Sequence, residues 1–102
     1  MAMQREIFCG NTVIDGDERI LLEYFIIPKY IHEEYCNLWQ YGVKVKKTVI
    51  KNGGTNISET KEISNIFYDE AEAKRFVQLI MKNRVTPVTL MDVVEDYIIS
   101  AV

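Results

Sequence analysis

Residues 41–50 read YGVKVKKTVI, and the fold is worked out from this stretch. Positions 41, 43, 45 and 49 are apolar, whereas positions 44, 46 and 48 carry Lys or Thr. Side chains alternate between the two faces of a strand, so this spacing indicates one buried face and one solvated face. The segment is therefore predicted to be a half-buried antiparallel strand.

Downstream of this strand, Asn52-Gly53-Gly54 predicts a turn into a polar strand over residues 55–66. Ile57 and Ile63 are its inward candidates. Several charges and few apolar residues are typical of an edge strand that is protected against aggregation.

Upstream, residues 19–27 read RILLEYFII and are apolar on both faces, which favours a central or doubly covered strand. Pro28 is predicted to end this strand, because proline cannot donate a ladder hydrogen bond. Residues 30–40 show no clear periodicity and are predicted to form either a loop or one helical turn.

The start of the chain carries two short strand signals, at residues 5–9 and 12–14, around Gly10-Asn11. Asp15-Gly16 follows them. Both residues tolerate the positive φ of a type I′ turn, so this dipeptide predicts a tight hairpin into the strand at 19–27.

The last third of the chain is helical in pattern. All five glycines precede position 55, and Asp69 with Glu72 forms a capping-box-like start. Apolar residues follow at positions 73, 76, 77 and 80. After Thr86-Pro87, Thr89 with Asp92 repeats the cap pattern, and positions 90, 93, 94, 97, 98 and 101 form a second apolar face. The sequence therefore predicts an α+β fold, with an antiparallel sheet of about four strands in the N-terminal two-thirds and two C-terminal helices on one face.

Composition narrows the class of protein. The chain has 102 residues, of which 48% are hydrophobic, enough for one core but not for two domains. Residues 1–102 are predicted to form a single domain, with residues 1–4 either disordered or an expression scar. A net charge of −3 is not typical of a dedicated nucleic-acid binder. Neither a signal peptide nor a transmembrane segment is evident, which predicts a cytoplasmic protein without membrane association.

Residues with catalytic or ligand-binding chemistry are sparse. His32 is the single imidazole, and His32-Glu33-x-x-Cys36 lacks an evident third metal ligand. Cys9 and Cys36 lie outside a C-x-x-C spacing and are expected to be free thiols, packed rather than reactive. Glycine-rich phosphate loops are absent from the sequence. We therefore expect no catalytic residues, no cofactor and no metal, and hence no enzyme.

Aromatic residues are concentrated in one stretch. Six of the eleven fall between Tyr24 and Tyr41. Part of this cluster must fill the core, and the rest is typical of an interaction surface. In the last helix Glu95 and Asp96 lie beside the cap residue Asp92, either as a solvated face or as a docking site for a basic partner. The candidate partner-binding residues are Tyr24, Tyr30, Tyr35, Trp39, Glu95 and Asp96.

The leading hypothesis is a small non-enzymatic interaction or regulatory module that self-associates, as a homodimer or other homo-oligomer, or that binds a protein partner. The alternative is a regulator that binds a small ligand or single-stranded nucleic acid through the basic strand 44–51, using Lys44, Lys46 and Lys47. Nucleic acid is the less favoured ligand, because Tyr41 falls on the face opposite Lys44 and Lys46.

Part of the sequence also resembles a known protein family. The strand Tyr41-Gly42-Val43-Lys44-Val45 and the tail VTPVTLMDVVEDY at residues 85–97 resemble a family of small bacterial proteins described as a domain of unknown function. The resemblance covers about residues 41–98. It implies a stand-alone cytosolic bacterial protein and assigns no activity, cofactor or catalytic residue.

Overall fold

A computed structural model describes residues 5–34, 36–51 and 53–100. The elements, in chain order, are β1 (Ile7–Asp15), β2 (Arg19–Glu33), β3 (Cys36–Ile50), β4 (Ile57–Phe67), α1 (Glu70–Lys82) and α2 (Leu90–Ser100). The strands form one antiparallel sheet in the order β1-β2-β3-β4. The predicted α+β fold, with a four-stranded sheet followed by two helices, is confirmed. Within the described residues, neither helix is long and apolar enough to cross a membrane.

The hairpin of β2 and β3 is the longest feature of the molecule. Each strand has 15 residues, and they pair without interruption from Arg19 opposite Ile50 to Glu33 opposite Cys36. At about 3.4 Å per residue such a strand is ~50 Å long, close to the 54 Å longest dimension of the protein. Residues 30–33 and 36–40 therefore belong to two paired strands, and the prediction of a loop or one helical turn over residues 30–40 was wrong for them.

Pro28 does not end β2, contrary to the sequence-based expectation. It lies opposite Tyr41 in the middle of the strand. On the other side of β2, pairing with β1 reaches only Ile26. Among the described residues no strand pairs with this side of β2 at Pro28, so the missing N–H of proline costs no ladder hydrogen bond there.

β1 is one strand with a bulge rather than two short pieces. Its register with β2 shifts between Phe8 and Gly10. A Cβ at Gly10 would lie 3.0 Å from the Met81 sulfur of α1, so glycine leaves room for that side chain. Three residues connect β1 to β2, and Gly16 does not adopt positive φ, so the predicted type I′ turn was wrong.

The core lies between one face of the sheet and the helices. α1 buries Ala73, Phe76, Val77 and Ile80, the apolar stripe predicted from the sequence. The sheet contributes the fully buried side chains Leu22, Tyr24, Ile26, Val43 and Val45. At the start of α1 the Asp69 carboxylate accepts a hydrogen bond from the Ala71 N–H at 3.3 Å, which confirms Asp69 as the N-cap.

α2 packs through fewer residues than predicted. Leu90 and Val94 are buried, and the Tyr97 ring contacts Phe76 edge-on with centroids 4.9 Å apart. Ile98 is 45% exposed, so its predicted place in the buried face was wrong. Ala101 lies outside the described residues.

The second predicted cap forms differently from the first. The Thr89 carbonyl accepts the first helical hydrogen bond from the Val93 N–H, at 3.1 Å. The Thr89 hydroxyl instead lies 3.2 Å from the Thr86 hydroxyl and stabilises the connection between the helices. The predicted side-chain cap at Thr89 is therefore replaced by a turn within the loop.

β4 is the predicted edge strand, and its backbone lies very close to that of β3 at Gly42. Ile63 is half-buried against the core. Ile57 lies on the same face of the sheet, as predicted, but it is 50% exposed and is not part of the core. The β4 register shifts near its end, and Asn65 adopts a φ of 57°. This irregularity brings the β4 backbone against Gly42, where a Cβ would meet the Ile63 carbonyl oxygen at 2.5 Å.

The substitution Gly42→Ala is expected to destabilise the fold. Its methyl group would also lie 2.9 Å from the Ser64 Cα, and both neighbours are backbone atoms that cannot rotate away. We expect a loss of about 1–3 kcal/mol in the free energy of unfolding, measured by denaturant titration.

The matched control is Gly16→Ala, whose Cβ would meet nothing closer than 3.9 Å. Its free energy of unfolding should stay within about 0.5 kcal/mol of the wild type. Equal unfolding midpoints for the two variants would contradict the close approach at Gly42.

Candidate functional site

The outer part of the β2–β3 hairpin extends beyond the rest of the sheet. We define the distal hairpin as residues 29–33 paired with residues 36–40. β1 stops pairing at Ile26, and β4 stops at Tyr41, so no strand among the described residues pairs with either long edge of the distal hairpin. The sheet therefore ends in a two-stranded projection, which presents backbone groups and both of its faces to the surroundings.

An aromatic pair lies across this projection. Tyr30 is opposite Trp39, with ring centroids 5.2 Å apart. Tyr30 is 42% exposed and Trp39 is 50% exposed. Two large amphipathic rings that touch each other while half-exposed can bury much more surface against a partner. The structure therefore brings together two of the predicted partner-binding residues.

His32 belongs to the same face of the distal hairpin. Its ring stacks on Tyr30 at 6.5 Å between centroids, and its Nδ1 lies 2.5 Å from the Asn37 side-chain oxygen across the hairpin. Because this stretch is a strand, His32 and Cys36 do not share a helix face as a helical metal motif requires. Among the described residues, no group of three or more metal-ligating side chains is found.

Tyr24 is a core residue, so its assignment to the partner-binding surface was wrong. Its side chain is fully buried, and its hydroxyl donates a hydrogen bond to the Val85 carbonyl oxygen at 2.9 Å. Burial raises the pKa of Tyr24 to about 12, and the Arg84 charge acts in the opposite direction. The neutral phenol is thus held as a hydrogen-bond donor inside the core.

The end of α1 places the Val85 carbonyl within reach of Tyr24. Arg84 adopts a φ of 53°, and the Val85 N–H donates to the Ile80 carbonyl at 3.0 Å. This arrangement is a Schellman motif, in which the residue after the C-cap is left-handed. The helix therefore turns sharply toward β2 at the residue that accepts the tyrosine hydrogen bond.

The other predicted site residues are not part of this surface. Glu95 and Asp96 are exposed on α2, without an ion-pair partner among the described residues. Tyr35 lies outside the described residues. The structure therefore retains Tyr30 and Trp39 as one joint surface and leaves Glu95 and Asp96 as separate exposed charges.

The basic strand is largely matched by acidic residues. Lys44 lies 2.5 Å from the Glu6 carboxylate and 4.6 Å from the centre of the Phe25 ring. Lys46 is opposite Glu23, and Lys47 is opposite Glu59. Opposite charges at facing strand positions attract each other, which reduces the positive potential available to a nucleic acid.

Cys9 behaves as the packed thiol expected from the sequence. It lies at the β1 bulge, and its Sγ is 3.5 Å from the Ile7 carbonyl oxygen. Burial raises the pKa of the Cys9 thiol, and Lys74 acts weakly in the opposite direction. A raised pKa keeps the sulfur protonated and poorly nucleophilic. The Cys36 side chain is outside the part of the chain that the structure describes.

A shallow cavity opens where β4 ends, and sequence reasoning missed it. Its volume is about 300 Å³. The lining is mainly apolar, with two carboxylates, and consists of Ile66, Phe67, Tyr68, Asp69, Glu72, Tyr97 and Ile98. Phe67 is paired with Tyr41, two residues from Trp39, so the cavity adjoins the base of the distal hairpin. No local pattern could reveal it, because its walls come from β4, α1 and α2 together.

These observations define a small α+β protein with a projecting hairpin and an adjoining apolar cavity. The chain belongs to a family of unknown function, DUF6514, whose family model matches residues 3–100. The match includes residues 3–40, which the resemblance seen in the sequence did not cover. No curated protein and no solved structure matches the chain.

Replacing Tyr24 with Phe is expected to lower stability by about 1–3 kcal/mol, because it leaves the buried Val85 carbonyl without its donor. The difference between wild type and Tyr24→Phe should also depend on pH. The folded-state pKa of about 12 exceeds the ordinary value of 10.0, so the stabilisation is complete below pH 10 and is lost as pH rises toward 12.

Denaturant unfolding of both proteins from neutral to alkaline pH measures this difference. Tyr30→Phe is the control, because Tyr30 is half-exposed and should change stability by less than about 0.5 kcal/mol. A gap between wild type and Tyr24→Phe that is constant up to the alkaline limit would argue against the buried donor.

Proposed function

We propose that this protein is a non-enzymatic protein-interaction module and that the distal hairpin is its binding surface. The observation that carries the proposal is the exposed Tyr30–Trp39 pair on a projection whose two edges pair with no further strand in the described part of the chain. Tyrosine and tryptophan are the side chains that most often dominate binding energy at protein interfaces. Unpaired strand edges add backbone hydrogen-bonding groups to the same surface.

The partner is either a second copy of the chain, as expected from the sequence, or a different protein. Self-association would make the module a homo-oligomer with a regulatory role, and binding of another protein would make it an adaptor. A cytoplasmic location and a bacterial origin belong to the same proposal. The packed, free thiol of Cys9 is compatible with a reducing compartment.

Photo-crosslinking from position 39 tests the proposal for both kinds of partner. Trp39 is replaced by a photoreactive phenylalanine analogue, which keeps a large aromatic side chain at this position, and the protein is irradiated both in purified form and in an extract of its native cells. We expect a discrete crosslinked product, because position 39 lies at the centre of the proposed surface. Mass spectrometry then identifies the product as a dimer of the chain or as a complex with another protein.

Ile57 provides the matched control position. It is 50% exposed, as Trp39 is, and it lies on a strand outside the distal hairpin. Crosslinking from position 57 should give no discrete product. Products of equal yield from both positions, or none from position 39, would overturn the proposal.

Binding of single-stranded nucleic acid through Lys44, Lys46 and Lys47 is the second candidate function. The facing acidic residues and the Glu6–Lys44 ion pair weaken it. We therefore expect no salt-dependent binding of single-stranded DNA or RNA oligonucleotides in fluorescence anisotropy at low ionic strength. Binding that weakens steeply with salt and is lost when the three lysines are replaced by glutamine would instead favour this function.

A further inference from the structure

The outer edge of β3 has hydrogen-bonding groups that β4 does not use. Glu33 pairs with Cys36 across a two-residue connection, and the closing pair of such a hairpin is hydrogen-bonded. Hydrogen-bonded and non-bonded pairs then alternate along the ladder. The backbone N–H and C=O groups of Asn37 and Trp39 therefore point away from β2, toward the side where β4 would lie if it continued.

Each other edge of the sheet has a feature that discourages strand addition. β1 has a bulge between Phe8 and Gly10, and β4 carries the charged residues Glu59, Lys61 and Glu62. The edge of β2 beyond its pairing with β1 carries Pro28 and Lys29. These are the usual protections of natural sheet edges. Residues 37–40 (NLWQ) contain no proline or charged side chain, and the ladder has no register shift there.

The edge of β3 at residues 37–40 leads directly to the apolar cavity at the end of β4. A strand that paired with residues 37–40 would lie in line with β4 and would meet it end-on at Phe67, one wall of the cavity. Trp39 and Tyr30 would flank such a strand on one face of the sheet. The edge supplies backbone hydrogen bonds, and the cavity accepts an apolar side chain, which together are the two requirements of strand-addition binding.

The charges around the cavity distinguish between the possible occupants. Asp69 and Glu72 line the cavity. If a second copy paired antiparallel through the same edge, its hairpin tip would approach this end with Glu33 and Glu34. The carboxylates of the two copies would then lie close together, and repulsion between these like charges disfavours that pairing. A segment that carries Lys or Arg would instead be attracted.

We infer that residues 37–40 of β3 bind an extended segment of a different protein by strand addition, with an apolar side chain of that segment in the cavity and a basic side chain near Asp69 and Glu72. This inference rests on the proposed function, since it specifies the partner and the binding mode at the same hairpin. The inferred ligand is thus an extended peptide segment with alternating apolar residues and a neighbouring positive charge.

Selection from a phage-displayed library of random peptides tests the inference with the full-length protein. We expect enriched peptides that combine alternating apolar residues with Lys or Arg. The key variant is Asn37→Pro, which removes the outward N–H while the bonds between β2 and β3 are kept. Loss of backbone hydrogen bonds should weaken the selected peptides by about tenfold or more in fluorescence anisotropy.

Asn37→Ala is the matched control, because it removes the side-chain contact with His32 but keeps the backbone N–H. It should bind the selected peptides as the wild type does. Glu72→Gln should weaken only the peptides with a basic residue. Circular dichroism spectra and unfolding midpoints measured alongside identify any variant that fails to fold, and Glu72→Gln then serves as an independent test because it leaves the hairpin unchanged.

The outcomes separate this inference from the proposed function. Peptides that bind Asn37→Pro and Asn37→Ala equally well but lose affinity in Trp39→Ala would overturn strand addition while the hairpin stays a binding surface. Enrichment of acidic peptides, or of none, would overturn the inferred ligand. Failure of the crosslinking from position 39 would overturn the proposed function itself.

Discussion

The continuous pairing of β2 with β3 is the constraint on which the rest of the structure depends. Fifteen residues of each strand are paired in a single register, from Arg19 to Glu33 and from Cys36 to Ile50. A one-residue slip in this register would move every apolar side chain to the opposite face of the sheet. The same register aligns the inner half of the hairpin with α1 and leaves the outer half beyond the reach of β1 and β4. The core and the proposed binding surface are therefore parts of one ladder.

The inner half of this ladder is stabilised by elements that approach it closely. Gly42 lets the β4 backbone approach β3, and Gly10 leaves room for Met81 of α1. The turn after α1 directs the Val85 carbonyl at the Tyr24 hydroxyl, which ties the end of the helix to the central strand. These contacts involve backbone atoms or buried groups, so a small change in the shape of any of these groups would disturb the packing of the sheet. The distal hairpin makes none of these contacts, and its stability comes from β2–β3 pairing and from its own cross-strand side chains.

The sequence predicts the parts of the fold in which one face is buried. The alternation at 41–50 and the stripe at 73, 76, 77 and 80 arise because each element meets the core on one side, and both predictions are confirmed. Residues 30–33 and 36–40 lie on a projection that no other described element covers, so neither face has to be apolar and no period of two develops. Pro28 led to a wrong prediction of where β2 ends. Whether β2 tolerates a proline at this position depends on where its pairing with β1 stops. That information is not local in sequence.

Tyr24 and Tyr30 show why the candidate site could be predicted only in part. They lie six residues apart on β2 and point to the same face of the sheet, so composition and periodicity treat them alike. Their environments differ because α1 and the Val85 turn cover Tyr24, whereas the helical layer does not enclose Tyr30, which contacts Trp39 and His32 instead. The surplus of aromatic residues in the sequence is therefore divided by tertiary structure into a core donor and an exposed pair. A partner bound at the exposed pair, as proposed, would add to a ladder that already exists, so the hairpin would need little reordering to receive it.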